Sequence, residues 1–339
     1  MSDFNLLVFA IAFLASAAIT GVMRAYARRA NLLDVPNQRS SHEVATPSGG
    51  GLGIVIVFLA AVSLMAAQAQ IEGDAVIAFL LGGGLIAGIG FIDDHSHVSA
   101  KWRFMVQILA VSLAVYLLGG LPVLQLGSSA LELGLAGDVA LVVLIVWFTN
   151  AFNFMDGIDG IAASEAICIA GGAAILNYAT NDPSVVLLGV LASASLGFLV
   201  WNWAPAKIFM GDVGSAFLGF TLIAIAIYTS RAGNVPIWSW LILAGVFIID
   251  ATITLVVRIW NRENWLSAHR SHAYQRASRH YKSHAIVTAV VIAINILWLF
   301  PVAFLAFTAP EKGWWLTVVA WLPLTITALR FGAGRPDQV

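Results

Sequence analysis

Asn150-Ala-Phe-Asn-Phe-Met-Asp-Gly-Ile-Asp-Gly160 sets two amides, Asn150 and Asn153, and two carboxylates, Asp156 and Asp159, within one short stretch. Apolar segments flank it, 141–148 before and 161–176 after. Backbone and carboxylates cannot face lipid without a large unsatisfied cost, so the stretch belongs at a membrane surface or in a wet cavity. Amides and acids at steps of three, followed by Gly pairs, suit a site that holds a hard cation and lets phosphate approach the backbone. A helix N-cap supplied by Asp159 would account for one acid, but not for two acids and two amides.

The whole chain reads the same way. Its 339 residues are 60% hydrophobic and 10% charged, with a mean hydropathy of +0.89, whereas soluble domains are about a quarter charged. This is an all-α polytopic membrane protein, a single integral membrane domain over 1–339. Cys168 is the one cysteine, so neither a disulfide framework nor a Cys-based metal site is available. A net charge of −1 says nothing about nucleic acid, and no nucleic-acid partner is expected. Residues 4–23 lack a small-residue cleavage site and read as a first span.

Eleven apolar segments are long enough to be spans: 4–23, 51–68, 75–92, 102–119, 139–154, 160–178, 184–203, 213–230, 237–258, 285–307 and 313–330. With the N-terminus outside and the C-terminus in the cytoplasm, the inner segments carry 15 of the 17 Lys and Arg residues, and the outer ones carry Arg231 and Lys312. The positive-inside rule selects that orientation. The longest outer loop, about 120–138, alternates apolar and polar residues around Gly-Ser-Ser and reads as a short periplasmic hairpin. Residues 331–339 read as a disordered tail.

This topology gathers loops 24–50, 93–101, 150–160, 204–213 and 259–284 on the cytoplasmic face, with Asp34, Asp93, Asp94, Asp156, Asp159 and Asp212 among them. In the first loop, Gly49-Gly50-Gly51 leads into a helix whose N-terminus favours an anion; the plainer reading is a Gly-rich turn. Asp93 and Asp94 stand at the C-terminal end of a span, the unfavourable end for carboxylates, so a cation such as Lys101 or a metal should offset them. His95 and His97 follow and read as interface residues. Gly211-Asp212-Val213-Gly214-Ser215 begins a helix; with Lys207 and Phe209 it suits a phosphate ester bearing a stacked ring. Asp250 lies inside a span and needs a partner, as an anchor between helices or as the floor of a site. In the basic last loop, His269-Arg270-Ser271-His272 sets donors on one turn that suit a diphosphate, while Arg276 to His284 read as positive-inside charge.

Read together, these loops resemble the polyprenyl-phosphate N-acetylhexosamine-1-phosphate transferases, glycosyltransferase family 4. That family includes phospho-MurNAc-pentapeptide translocase and the enzymes that start O-antigen and common-antigen synthesis. Its acidic pair matches Asp93-Asp94, with the following lysine at Lys101. Its Asn-x-x-Asn-x-x-Asp-Gly-x-Asp-Gly matches 150–160, and its Asn-x-x-Pro-Ala-x-x-Phe-Met-Gly-Asp-x-Gly-Ser matches 202–215. His269-Arg270-Ser271-His272 stands where translocase-type members have consecutive histidines, and looks closer to the O-antigen-initiating branch.

The resemblance implies transfer of an N-acetylhexosamine-1-phosphate, or a deoxy derivative such as N-acetylfucosamine-1-phosphate, from a UDP-sugar to undecaprenyl phosphate in the bacterial inner membrane, with release of UMP. It implies Mg²⁺, or Mn²⁺ in its place, with Asp212 and Asn153 as ligands and Asp156 or Asp159 nearby. Lys101, His269, Arg270 and His272 would supply positive charge, Asn202 and Phe209 would hold the uracil, and Asn150 would line the substrate site. Because a phosphate monoester is already mostly dianionic at neutral pH, Asp93 and Asp94 are expected to position groups rather than to remove a proton. Membrane lipid is the surrounding partner and a homodimer is left open. A lipid-linked sugar flippase or a secondary transporter is the alternative, although transporter sites lie near the bilayer midplane.

Overall fold

The computed structural model describes residues 3–36, 44–96, 98–180, 182–263 and 269–336. Part of the first loop (37–43), His97, part of the last loop (264–268) and the final residues 337–339 lie outside them.

Helices follow the apolar runs closely, because backbone removed from water must close its hydrogen bonds within the segment. The first is α1 (Asp3–Arg29), then α2 (Leu52–Ala67) and α3 (Gly73–Ile77), which passes through a π-helical turn into α4 (Gly83–His95). Next come α5 (Ala100–Leu117), α6 (Gly134–Met155), α7 (Ile161–Asn177), α8 (Ser184–Asn202) and α9 (Asp212–Arg231). The last third holds α10 (Ile237–Leu243), α11 (Gly245–Trp260), α12 (Ala273–Tyr281), α13 (His284–Ile294), a second π-helical turn, α14 (Phe300–Thr308) and α15 (Gly313–Arg330). Among the described residues, eight helices are long and apolar enough to cross a membrane, or nine if α10 and α11 form one bent span. Two further expected segments are helical as well: α2, with 16 residues, and α15, with 18, which contains Pro323.

At the centre is α9. Of the eight candidate spans it is the most enclosed, whereas α1 and α5 show most of their surface to the surroundings. It packs against α4 and α6, and touches α2, α5, α7, α8 and α10. Phe217 and Phe220 are fully buried, and Phe217 meets Phe58 of α2 edge-on at 5.8 Å between ring centroids. Close approach depends on small residues, as expected where lipid supplies no hydrophobic drive between helices. A Cβ on Gly90 of α4 would sit 2.5 Å from the Asp212 carbonyl oxygen, and one on Gly51 would sit 2.5 Å from the Gly214 Cα.

Four short strands complete the chain. In the first loop, β1 (Leu33–Asp34) pairs antiparallel with β2 (Thr46–Pro47). Then β3 (Leu124–Leu126) and β4 (Ser129–Leu131) form the expected hairpin, with Leu124 opposite Leu131. Trp238 Nε1 and the Gln125 carbonyl, 2.9 Å apart, tie the hairpin to α10.

Three features differ from the sequence reading. The segment read as one span over 237–258 bends by 71° between α10 and α11, with Gly245 opening the second limb. The basic last loop folds a nine-residue helix, α12. Residues 331–336, read as tail, are held in place: Ala333 is buried, the Gly334 N–H donates to the Ser271 carbonyl, and Arg276 donates to the carbonyls of Arg335 and Pro336.

Gly90→Ala should lower stability by ~1–3 kcal/mol, because the new methyl overpacks the α4–α9 crossing. Gly84→Ala, on the same helix with open space around it, is the control. Thermal unfolding in detergent reads both, and equal melting temperatures would refute the crossing.

Candidate active site

At one end of the bundle a cavity of about 610 Å³ gathers the polar segments. The end of α4 gives Asp93, Asp94 and His95. The end of α6 and the turn after it give Asn153, Asp156 and Asp159. Phe209 and Gly211 come from the segment before α9, Asp212 opens that helix, and Asp34 comes from β1. Gln275 of α12 and His284 of α13 close the far wall.

The two adjacent acids of α4 do different work. Asp94 Oδ1 accepts the Asp212 amide at 2.8 Å and Oδ2 accepts the Val213 amide at 3.2 Å. These are N–H groups of the first turn of α9, which that helix cannot satisfy itself, so Asp94 caps α9 from another helix. Asp93 accepts the Val98 amide at 2.7 Å and an Arg103 Nη1 hydrogen bond at 2.5 Å. The same Nη1 donates to Asp212 Oδ2 at 2.8 Å, so one guanidinium joins the acid of α4 to the acid that opens α9. Lys101, assigned this cationic role in the sequence, is exposed and, like Arg103, is not among the cavity-lining residues; the ion pairs to the acids are what set Arg103 apart. Arg103 stood in the sequence only as inner-face charge; its place two residues further along α5 is what brings it to the acids.

Around the opening stretch, Asn153 Oδ1 accepts from Ser215 Oγ at 2.9 Å, which fixes the amide against the first turns of α9. Asp159 Oδ2 accepts the Ala206 amide at 3.1 Å and lies 3.3 Å from His284 Nδ1, while its carbonyl accepts from Thr288 Oγ1. His284, read from the sequence as surface charge, is therefore a member of the site. Gly160, with φ +78°, takes the N-cap position of α7 rather than Asp159. Asp156 has no hydrogen-bond donor among the described residues; burial, and then the charges of Asp212, Asp159 and Asp94, push its carboxyl well above the usual range.

Several expected site residues serve the scaffold. Asn150 donates to Gln107 Oε1 at 2.7 Å, a polar link between α6 and α5. Asn202 is 2% exposed; it accepts the Gly160 amide and donates to the Ile208 carbonyl, stitching two loops together. Phe209 does line the cavity. Gly50 and Gly51 spend their amides on the carbonyls of Phe209 and Met210, and so act as the docking turn rather than as an anion cradle.

The segment 269–272 does not line this cavity. His272 is 3% exposed, with Nδ1 3.2 Å from Asp250 Oδ1, and the His269 ring stacks on it at 5.0 Å. Burial, then the neighbouring His272 and Arg258, pull His269 down to about 4, which leaves it neutral at physiological pH. The Arg270 carbonyl accepts from Arg279. Asp250 takes the Ala273 and Tyr274 amides, both at 2.9 Å, and so anchors the start of α12, the first of the two roles read for it.

No three His, Cys, Asp or Glu side chains converge on one point among the described residues. The donor set instead suits Mg²⁺, which takes one or two protein oxygens and completes its shell with phosphate and water. Asp212 and Asn153 are bridged through α9, and Asp156 has a carboxylate without a donor; those oxygens would hold the ion.

Fold and cavity define a polytopic membrane protein with one acid-lined site at the end of its helix bundle. A sequence model described as glycosyl transferase family 4 matches residues 76–230. The chain is 31% identical over 301 residues to a probable undecaprenyl-phosphate N-acetylglucosaminyl 1-phosphate transferase of Bacillus subtilis, covering 85% of this chain and 81% of that protein. It is also 31% identical to decaprenyl-phosphate N-acetylglucosaminephosphotransferases of Mycobacterium leprae, over 318 residues, and of Mycobacterium tuberculosis, over 322; 84% of this chain is covered in each, with 78% and 77% of the relatives. The chain belongs to the polyprenyl-phosphate hexosamine-1-phosphate transferase family.

Asp156→Asn should raise the melting temperature of the substrate-free protein at neutral pH. An unfolded Asp ionises near 3.9, whereas the folded one resists ionisation, so its cost grows as pH rises above that value and vanishes in acid. A variant no more stable than the parent at neutral pH would contradict the uncompensated carboxylate.

Proposed function

We propose that the chain transfers an N-acetylhexosamine-1-phosphate from a UDP-sugar to a polyprenyl phosphate, undecaprenyl phosphate in the first instance, at the cytoplasmic face of the bacterial inner membrane. The observation that carries the reading is the convergence of the family's loop motifs, Asp93-Asp94, 150–160 and 209–212, on one acidic cavity. The orientation set by the basic loops and the count of eleven spans belong to the same reading. N-acetylglucosamine is the first sugar to test, given the relatives' names. A deoxy sugar such as N-acetylfucosamine, and a role in starting O-antigen synthesis, are the finer alternatives drawn from 269–272.

In this reaction an acceptor phosphate oxygen attacks the β-phosphorus of the donor. A new P–O bond forms, the bond to the bridging oxygen of the α-phosphate breaks, and UMP leaves with that electron pair. Bound Mg²⁺ would supply the charge that lets the phosphates meet, held by Asp212 and Asn153 with Asp156 beside them. Phe209 offers a ring face to the uracil. His284 orients Asp159. Arg103 holds Asp93 and Asp212 together and presents a guanidinium to phosphate. Asp93 already accepts two hydrogen bonds, which supports positioning over proton removal.

The test is purified protein with undecaprenyl phosphate and a panel of UDP-sugars, read as UMP release. UDP-N-acetylglucosamine should give UMP and a lipid-linked product, chelation should abolish turnover, and Mg²⁺ should restore it without any ion gradient. No UMP from any UDP-sugar would end the reading. Arg103→Met should cut kcat by more than ~10², about the loss seen for one transition-state donor, while Lys101→Met should cost far less. The reverse ranking would return the cationic role to Lys101. Asp93→Asn should lose most activity at all pH values; near-normal turnover at neutral pH with failure only in acid would favour a base.

A further inference from the structure

On α7, six residues beyond Asp159, Glu165 lies inside the helix bundle with none of its surface exposed. Asn295, where α13 enters its π-helical turn, is 3% exposed. Its Nδ2 donates to Glu165 Oε2 at 2.7 Å and to the Val291 carbonyl at 3.0 Å. Two oxygens of this pair are left buried without a donor, Glu165 Oε1 and Asn295 Oδ1.

An ionised carboxylate and an amide carbonyl are both acceptors, so neither can satisfy the other. One proton on Oε1 changes that: Oε1–H donates to Oδ1 while Nδ2–H donates to Oε2, and both orphaned atoms are paired at once. We propose that Glu165 and Asn295 form an intramembrane proton-binding site, a carboxylic acid–amide pair that stays neutral and joins α7 to α13.

The surroundings favour the neutral form. An ion buried without a counter-charge costs several kcal/mol, and no Lys, Arg or His pairs with Glu165 among the described residues. Of the helices packed on α7, α8, α10 and α14 carry no charged residue. Those on α6, α9 and α13 stand at helix ends: Asp138, Asp212, Arg231 and His284. Cys168, a free and half-buried thiol, lies about one turn along α7. The Phe247 amide of α11 lies beside the carboxyl and closes no hydrogen bond on Oε1; Asp250 of α11 is held by the amides of α12. The helix that carries Asn295 also holds Asp159, just before α7, at the cavity through Thr288 and His284.

Glu165→Gln is the test, because the amide supplies a permanent N–H donor and a carbonyl in the same shape. An unfolded Glu ionises near 4.3 and the folded one keeps its proton, so wild-type stability falls as pH rises above that value, while the variant does not titrate. The variant should melt several degrees above wild type at about pH 8, with the margin closing toward about pH 4. Infrared spectra at neutral pH should show a protonated-carboxyl C=O band that Glu165→Gln removes and Asn295→Ala shifts. If that band is absent, or if the Gln variant melts below wild type at every pH, Glu165 is ionised and the proposal fails. Neither readout depends on turnover.

Discussion

The grip of the Asp94 carboxylate on the first amides of α9 is the contact on which the rest of the site depends. A helix entering a bundle from a polar loop brings free N–H groups that nothing in its own sequence satisfies. Gly211 and Asp212 offer no side-chain cap. The carboxylate comes instead from the end of α4, and it can reach because Gly90 lets the two backbones close. A negative group at that helix end also sits where the dipole favours it. With α9 fixed, Asp212 faces Asp93 across Arg103, Ser215 reaches Asn153, and the turn before α9 seats against Gly50 and Gly51. Each motif then has one place to be.

Among the described residues that line the site, acids outnumber bases. Asp93, Asp94, Asp156, Asp159 and Asp212 line one cavity, with the Arg103 guanidinium on two of them and the His284 imidazole beside a third. Asp156 stands against three like charges with burial already opposing its ionisation. Such a cavity is costly to the folded chain at neutral pH and is relieved by a cation. That is the expected signature of a place where phosphates meet, and the stability given up there is what the proposed chemistry requires.

Much of this was legible in the residues. The helical segments follow apolar runs whose ends are marked by Gly, Pro and clustered charge, so their positions and the 120–138 hairpin could be read directly. The acids that line the cavity could be read too, because polar groups so dense between apolar segments have few other uses. What could not be read depends on helix phase and on contacts between distant segments. Lys101 and Arg103 differ by two positions and so point to different sides of α5, and only the packed helix shows that Arg103 is the one that reaches Asp93. Asn150 and Asn202 look like ligands in a motif, yet each is taken by a neighbour 43 or 42 positions away. His269 to His272 carry suitable donors, but Asp250 draws that turn away from the cavity.

Amide hydrogen exchange on the protein in lipid nanodiscs tests the central contact most directly. The Asp212 and Val213 amides should exchange as slowly as the core of α9 in the wild type, and lose that protection in Asp94→Ala while the later turns of α9 keep theirs. Fast exchange at both amides in the wild type, or equal protection in the variant, would mean that another group holds α9 in place.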